Sequence, residues 1–251
     1  MNQSMKDKVV LVVGGAGSIG AVSAKRFAEL GARIAISHRD VPDETASAAT
    51  VVQSLPGDGH AALIADVAQT ATLKALRAEI ERRFGRLDIL VNAAGFTKPV
   101  PHADLDALDD DLIDRMFAVN WRGQFAAIRT FAPLLKASGD GLVVSISSIA
   151  GTNGIGSSIA YCAVKAGIDV MTKSLARVLA PEVRVLAVAP GVVDTGFVPG
   201  RGADFNAKTA TTTPLKRIAT AEDIASAILA CATQLGFATG TTFVVDGGRS
   251  L

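Results

Sequence analysis

The chain is poor in the residues on which several kinds of function depend. Its 251 residues hold two cysteines, three histidines, one tryptophan and one tyrosine. Cys162 and Cys231 stand apart, with no Cys-x-x-Cys and no histidine at ligand spacing, which argues against a zinc site or a disulfide framework and fits a reducing cytoplasm. Surplus charge is missing as well: 25 Lys plus Arg face 24 Asp plus Glu, for a net charge of +1, so no field favours nucleic acid or an anionic membrane. Small-molecule chemistry is what remains.

Long apolar runs are interrupted wherever they start. Val9 to Ala24, after Lys6 and Lys8, imitates a secretory leader, but Gly14, Gly15, Gly17 and Gly20 break it. The uncharged stretch Gly141 to Val164 is too rich in Gly, Ser, Thr and Asn to lie in lipid. The ending Arg249-Ser250-Leu251 has the serine and basic residue of a peroxisomal signal in swapped positions. A cytoplasmic protein without membrane or nucleic-acid partners is expected.

What the sequence does have is alternation. Apolar runs bounded by turn residues at Val9–Val13, Arg33–Ser37, Ala61–Ala65, Ile89–Asn92, Leu142–Ser147, Val183–Ala189 and Thr242–Val245 read as strands. Helix-period segments lie between them, such as Ile19–Leu30, Leu73–Phe84, Asp111–Lys136, Tyr161–Ala180 and Ala221–Gln234. Strands that alternate with helices pair in parallel through right-handed crossovers, and continuous apolar strands are covered on both faces. The expected fold is α/β: a three-layer, doubly wound, Rossmann-type parallel sheet of about seven strands in a single domain. The irregular segment Pro190–Pro214 is expected to contain a substrate lid near 195–214.

Two ends of the sheet carry chemistry. The first strand runs into Gly14-Gly15-Ala16-Gly17-Ser18-Ile19-Gly20 and then a helix, where free N–H groups and the helix dipole attract a pyrophosphate. The second strand ends Ser37-His38-Arg39, with no carboxylate at position 38 for a ribose 2′-hydroxyl, and Arg39 can pair with a 2′-phosphate. This favours NADP(H) over NAD(H), although Asp40 turned inward would restore NAD. Tyr161 and Lys165, four residues apart in a helical segment, share one face, and a nearby ammonium would lower the tyrosine pKa from about 10 toward the working range. Ser148, at a strand's carboxyl end, could polarise a substrate oxygen. Taken singly, the pair could equally be a surface contact and the serine a turn cap.

Together these residues resemble the single-domain branch of the short-chain dehydrogenase/reductase family, near the 3-oxoacyl-acyl-carrier-protein reductases. The resemblance covers nearly the whole chain. It rests on the turn Gly14–Gly20, Asp66-Val67, Asn92-Ala93-Ala94-Gly95, Asn120, Ser148, Tyr161, Lys165, Pro190-Gly191 with Thr195, and Val245-Asp246-Gly247-Gly248. It implies that Gly14, Gly17, Ser18, Ile19 and Gly20 hold the pyrophosphate, that Asp66 and Val67 hold the adenine, and that Asn92 to Gly95 line the cleft. Pro190, Gly191, Val193 and Thr195 would embrace the nicotinamide, and Lys165 would bond its ribose. Asn120, Ser148, Tyr161 and Lys165 would form the catalytic set, with Asn120 holding a water that links Lys165 to solvent. The family's usual Thr and middle Gly are Val13 and Ser18 here.

The resemblance further implies a homotetramer, formed by pairing of the helices Asp111–Lys136 and Tyr161–Ala180. Hydride would pass between the nicotinamide cofactor and a small carbonyl or secondary alcohol substrate, such as a 3-oxoacyl thioester or small ketone. Two alternatives differ in class. A sugar-nucleotide epimerase or dehydratase would share the Gly14, Gly17, Gly20 spacing but needs a further substrate domain. A non-catalytic nucleotide sensor would need the glycine turn but no proton relay. A hydrolase is disfavoured, because His38, His60 and His102 all precede Ser148 and the serine sits in no nucleophile elbow.

Overall fold

A computed structural model describes residues 4–251. Seven parallel strands form one sheet: β1 (Val9–Val13), β2 (Arg33–His38), β3 (Ala61–Ile64), β4 (Ile89–Asn92), β5 (Gly141–Ile146), β6 (Val183–Pro190) and β7 (Thr242–Val245). Their order is β3-β2-β1-β4-β5-β6-β7, the doubly wound arrangement expected of the alternation. Strand side chains alternate between faces, so β1 divides itself between two cores. Val9, Leu11 and Val13 pack with one set of helices, and Val10 and Val12 with the other.

The first set comprises α3 (Thr70–Phe84), α5 (Gly123–Ala137) and α7 (Ile159–Leu179), which supply Leu76, Ile80, Phe131 and Ile168. The second comprises α1 (Ser18–Glu29), α2 (Pro42–Ser54) and α9 (Ala221–Thr233), which supply Phe27, Ala48 and Ile224. Full coverage on both sides is why the strands read as unbroken apolar runs. Helix starts follow local chemistry. Ser158 caps α7 by accepting from the Tyr161 N–H, and Thr220 and Asp223 form a reciprocal capping box on α9.

Two expectations need correction, and one helix is added. The segment Asp111–Lys136 is not one α-helix: α4 (Asp110–Met116) leads into a π-helical stretch, Phe117–Arg122, and then into α5. Apolar spacing does not distinguish bonding to the fourth residue from bonding to the fifth, and such insertions are frequent at functional sites. The segment Pro190–Pro214 is not wholly irregular, since α8 (Ala203–Thr212) lies within it. α8 buries only Thr209 and so carries no apolar stripe to read. α2 is a further helix, with Pro42 at its first turn followed by Asp43 and Glu44. A short helix, α6 (Ala150–Asn153), completes the set.

Candidate active site

The strand order reverses between β1 and β4, so the loops leaving their carboxyl ends diverge and open a crevice. A cleft of about 1150 Å³ runs from this point to the α7 helix. It is larger than the roughly 300–1,000 Å³ of sites for drug-sized ligands.

The glycine turn forms one end. Gly14 has φ +77°, and a Cβ there would lie 2.6 Å from the Ala94 backbone nitrogen, so only glycine lets the turn after β1 pack against the loop after β4. The turn opens onto the N-terminus of α1, which has no side-chain cap and no acidic residue in its first turn. Its N–H groups and positive dipole end are therefore available to an anion. Gly14, Gly17, Ser18, Ile19 and Gly20 all line the cleft, as does Val13.

His38, Arg39, Asp66 and Val67 line the next stretch. The acid that meets Arg39 is not Asp40 but Glu44, from the first turn of α2. Its carboxylate accepts from Arg39 Nε at 2.9 Å, from Nη2, and from the Arg39 backbone N–H at 2.9 Å. Burial raises the Glu44 pKa, but these bonds outweigh it and leave the carboxyl below its usual range. Asp66 also caps its own turn, with Oδ1 accepting from the Ala68 N–H at 2.9 Å.

Ala93, Ala94 and Gly95 line the wall, but Asn92 and Asn120 do not. Asn92 is buried beneath it, with Nδ2 donating to Ser145 Oγ at 3.3 Å. Asn120 has no exposed surface: its Oδ1 accepts from the Phe96 N–H and its Nδ2 donates to the Phe96 carbonyl, each at 2.9 Å. Its side chain thus clamps the loop after β4 from within the π-helical stretch.

At the far end, Ser148, Tyr161 and Lys165 face the cleft together with Pro190, Gly191, Val193 and Thr195. Lys165 Nζ donates to the Ile146 carbonyl at 2.7 Å and lies 5.5 Å from the centre of the Tyr161 ring. Burial draws its pKa down to about 8, with Asp169 opposing. The tyrosine does not behave as expected. Burial of its hydroxyl pushes its pKa up to about 12, the neighbouring Ser148 hydroxyl and the Arg201 charge pull the other way, and desolvation wins. With Lys165 turned to Ile146, Tyr161 keeps its proton.

Two hydroxyls at the carboxyl end of a parallel sheet, a buried lysine one turn along, and a glycine turn opposite recur in a known set of folds. A family profile described as "Enoyl-(Acyl carrier protein) reductase" matches residues 14–250. The chain belongs to the short-chain dehydrogenase/reductase family. It is 38% identical over 248 residues to a protein named as ketoacyl reductase 2 of the granaticin polyketide synthase of Streptomyces violaceoruber, covering 97% of this chain and 96% of that one. It is 35% identical to cis-4-hydroxycyclohexanecarboxylate dehydrogenase of Sinomonas cyclohexanicum, over 99% of this chain and 98% of that one. A short-chain dehydrogenase/reductase structure from Brucella melitensis, described as glucose/ribitol dehydrogenase, superposes with a TM-score of 0.89 at 30% identity, covering 99% of each chain. As a family member, this chain is an oxidoreductase that depends on a nicotinamide cofactor, NAD or NADP.

Several residues of the cleft escaped sequence reasoning. Glu44 and Ser47 come from α2, whereas Phe197, Arg201 and Phe205 lie in the expected lid segment 195–214 without a pattern that singles them out. Arg249 returns from the last residues of the chain. The Tyr161 and Phe197 rings lie 6.1 Å apart. Among the described residues, no three metal-ligating side chains cluster, and no helix is long and apolar enough to cross a membrane.

Proposed function

We propose that this chain transfers hydride between NADP(H) and a small carbonyl or secondary alcohol, with Tyr161 as the proton donor and acceptor. The observation that carries the proposal is that Ser148 and Tyr161, with the serine hydroxyl acting on the tyrosine hydroxyl, line the cleft that begins at the glycine turn. The residues fit a dinucleotide: the uncapped start of α1 suits a pyrophosphate, and Ala93 to Gly95 with Pro190 to Thr195 flank the path from there to Tyr161. When bound, the cofactor supplies or accepts hydride at its nicotinamide C4.

The chain's own residues manage the oxygen. Ser148 steadies the substrate oxygen as negative charge develops on it. Tyr161, still protonated at neutral pH, gives that oxygen its proton in reduction and takes it back in oxidation. Lys165 stands one helical turn along, where its positive charge stabilises the phenolate left behind and can bond the ribose. Asn120 fixes the loop at Phe96 that borders the site. The segment 195–214, with α8, acts as a lid whose Phe197 shields the reacting centre from water.

Arg39 at the cleft wall supports NADP(H) over NAD(H), since Glu44 accepts from its Nε and Nη2 while, among the described residues, none accepts from its Nη1. A lower KM for NADPH than for NADH is expected in steady-state assays. The substrate is a small ketone or 3-oxoacyl thioester, and the setting is cytoplasmic, in keeping with two unpaired cysteines. Tyr161→Phe should retain cofactor binding, followed by fluorescence of the reduced cofactor, but lose turnover by roughly three orders of magnitude or more. Unchanged turnover, or cofactor binding by the native protein with no ketone reduced at any pH, would overturn the assignment in favour of a nucleotide sensor.

We also propose a homotetramer in which α5 and α7 pair with their copies. Phe117 and Val170, 38% and 62% exposed in the single chain, flank a shallow apolar hollow with Trp121, Gly167 and Leu175.

A further inference from the structure

The cleft mouth holds two arginines that the proton chemistry leaves unused. Arg201 reaches the cleft from the lid and Arg249 from the C-terminal tail. Arg201 is half-buried, with its guanidinium 4.5 Å over the Phe205 ring. Among the described residues, no carboxylate lies within ion-pair distance of it, and its side chain makes no hydrogen bond. Arg26, Arg39, Arg77, Arg82, Arg83, Arg86 and Arg217 each have an acidic partner, whereas Arg201 shares the lack of one with Arg115, which lies 4.9 Å over the Phe96 ring where that loop borders the cleft. Two acids of the same region have partners of their own: Asp194 accepts from Asn206 at 2.8 Å, and Asp246 accepts from Ser250 and Gly248.

Among the described residues the Arg249 side chain donates only to Thr212 Oγ1, at 3.1 Å, and its charge acts on Arg201. Burial and this like charge both lower the Arg201 pKa, while Tyr161 acts in the opposite direction. Two guanidinium groups held near each other without an anion, one of them partly out of water, carry a cost that a bound anion would remove. Phe197, its ring 6.1 Å from that of Tyr161, and Phe205, beneath the Arg201 guanidinium, line the same cleft and suit a hydrocarbon body.

Resting on the oxidoreductase reading above, we infer that Arg201, assisted by Arg249, binds an anionic group at the far end of the substrate. The substrate class is a ketone or secondary alcohol with a compact apolar body and a carboxylate directed away from the reacting carbon. The planar fork of Arg201 can take both carboxylate oxygens, and the stacked Phe205 ring holds that fork in place. Anion capture then orients the carbonyl toward Ser148 and Tyr161 and draws the lid down, because Arg201 is itself a lid residue. The phosphodiester of a carrier thioester is the other source of such a charge.

The test compares 4-oxocyclohexanecarboxylate with its methyl ester, and acetoacetyl-CoA with acetoacetyl-N-acetylcysteamine, as substrates for the native enzyme and for Arg201→Met and Arg201→Lys. The native enzyme should prefer the acid over the ester by at least about tenfold in kcat/KM, mainly through KM. Arg201→Met should bring that ratio close to one, and Arg201→Lys should restore part of it. A role confined to folding would lower both substrates alike and leave the ratio intact, which would overturn the inference. So would a native enzyme indifferent to the acid, or one that discriminates only between the two thioesters. Calorimetry with cyclohexanecarboxylate against cyclohexanecarboxamide gives a readout independent of turnover. Equal binding of the two to the native protein also overturns the inference, whereas loss of ketone reduction alone speaks against the oxidoreductase reading.

Discussion

At the residue scale, Tyr161 and Lys165 are paired in position but not in charge. Burial acts on both, raising the tyrosine to about 12 and lowering the lysine to about 8, so each is driven toward its neutral form. Asp169 is the one group that counters this at Lys165. It lies a further turn along α7, with Oδ1 accepting from Thr242 Oγ1 at 2.9 Å. Removing its charge leaves burial unopposed, so the lysine should release its proton at lower pH. Asp169→Asn is therefore expected to move the alkaline limb of the kcat/KM profile below about pH 8. A limb that stays in place or moves upward in the pH profile would contradict this. The spacing of Tyr161 and Lys165 was legible in the sequence because four residues in a helix always bring side chains to one face. The direction of the tyrosine shift was not, since desolvation depends on what packs around the hydroxyl.

At the scale of elements, Asp88 shows how a loop residue fixes strands. It is 1% exposed just before β4, and it accepts from the Val9 N–H that opens β1 at 2.9 Å, from Lys8 at 3.2 Å and from Arg86 at 2.6 and 2.9 Å. Burial raises its pKa, but the Arg86 and Val9 bonds prevail and hold the carboxyl below the usual range. A depressed carboxylate contributes stability above its unfolded pKa and loses it as pH falls through the folded value, so this contribution is complete at neutrality and disappears only in acid. Asp88→Asn should cost about 2 kcal/mol, less than for a fully buried pair because Lys8 and Arg86 are partly solvated. Urea unfolding at pH 7 measures it, with the gap to the native protein narrowing in acid. The strands themselves were readable to within a residue or so at each end, because each is a short apolar run closed by turn residues. α8 and the π-helical stretch were not: α8 buries too little to show a period, and the stretch around Asn120 is coupled to the Phe96 loop, 24 residues away.

At the scale of the whole molecule, the proposed assembly would bring copies together at the hollow lined by Trp121 and Val170. Val170→Asp places a charge in that apolar contact, so a smaller assembly is expected by light scattering, with an unchanged far-ultraviolet circular dichroism spectrum. A native protein that is monomeric at micromolar concentration would contradict the assembly itself. By itself the sequence determined the doubly wound sheet, the glycine turn at its first crossover, and the positions of Ser148, Tyr161 and Lys165, because periodicity and turn chemistry are written in near neighbours. Only the tertiary structure decided that Glu44 would take Arg39, that Asn120 would clamp a loop, and that Arg201 and Arg249 would line the same cleft. Those arrangements join residues brought together by the closing of long loops and the packing of separate elements, and no local pattern along the chain encodes which distant charge will arrive beside another.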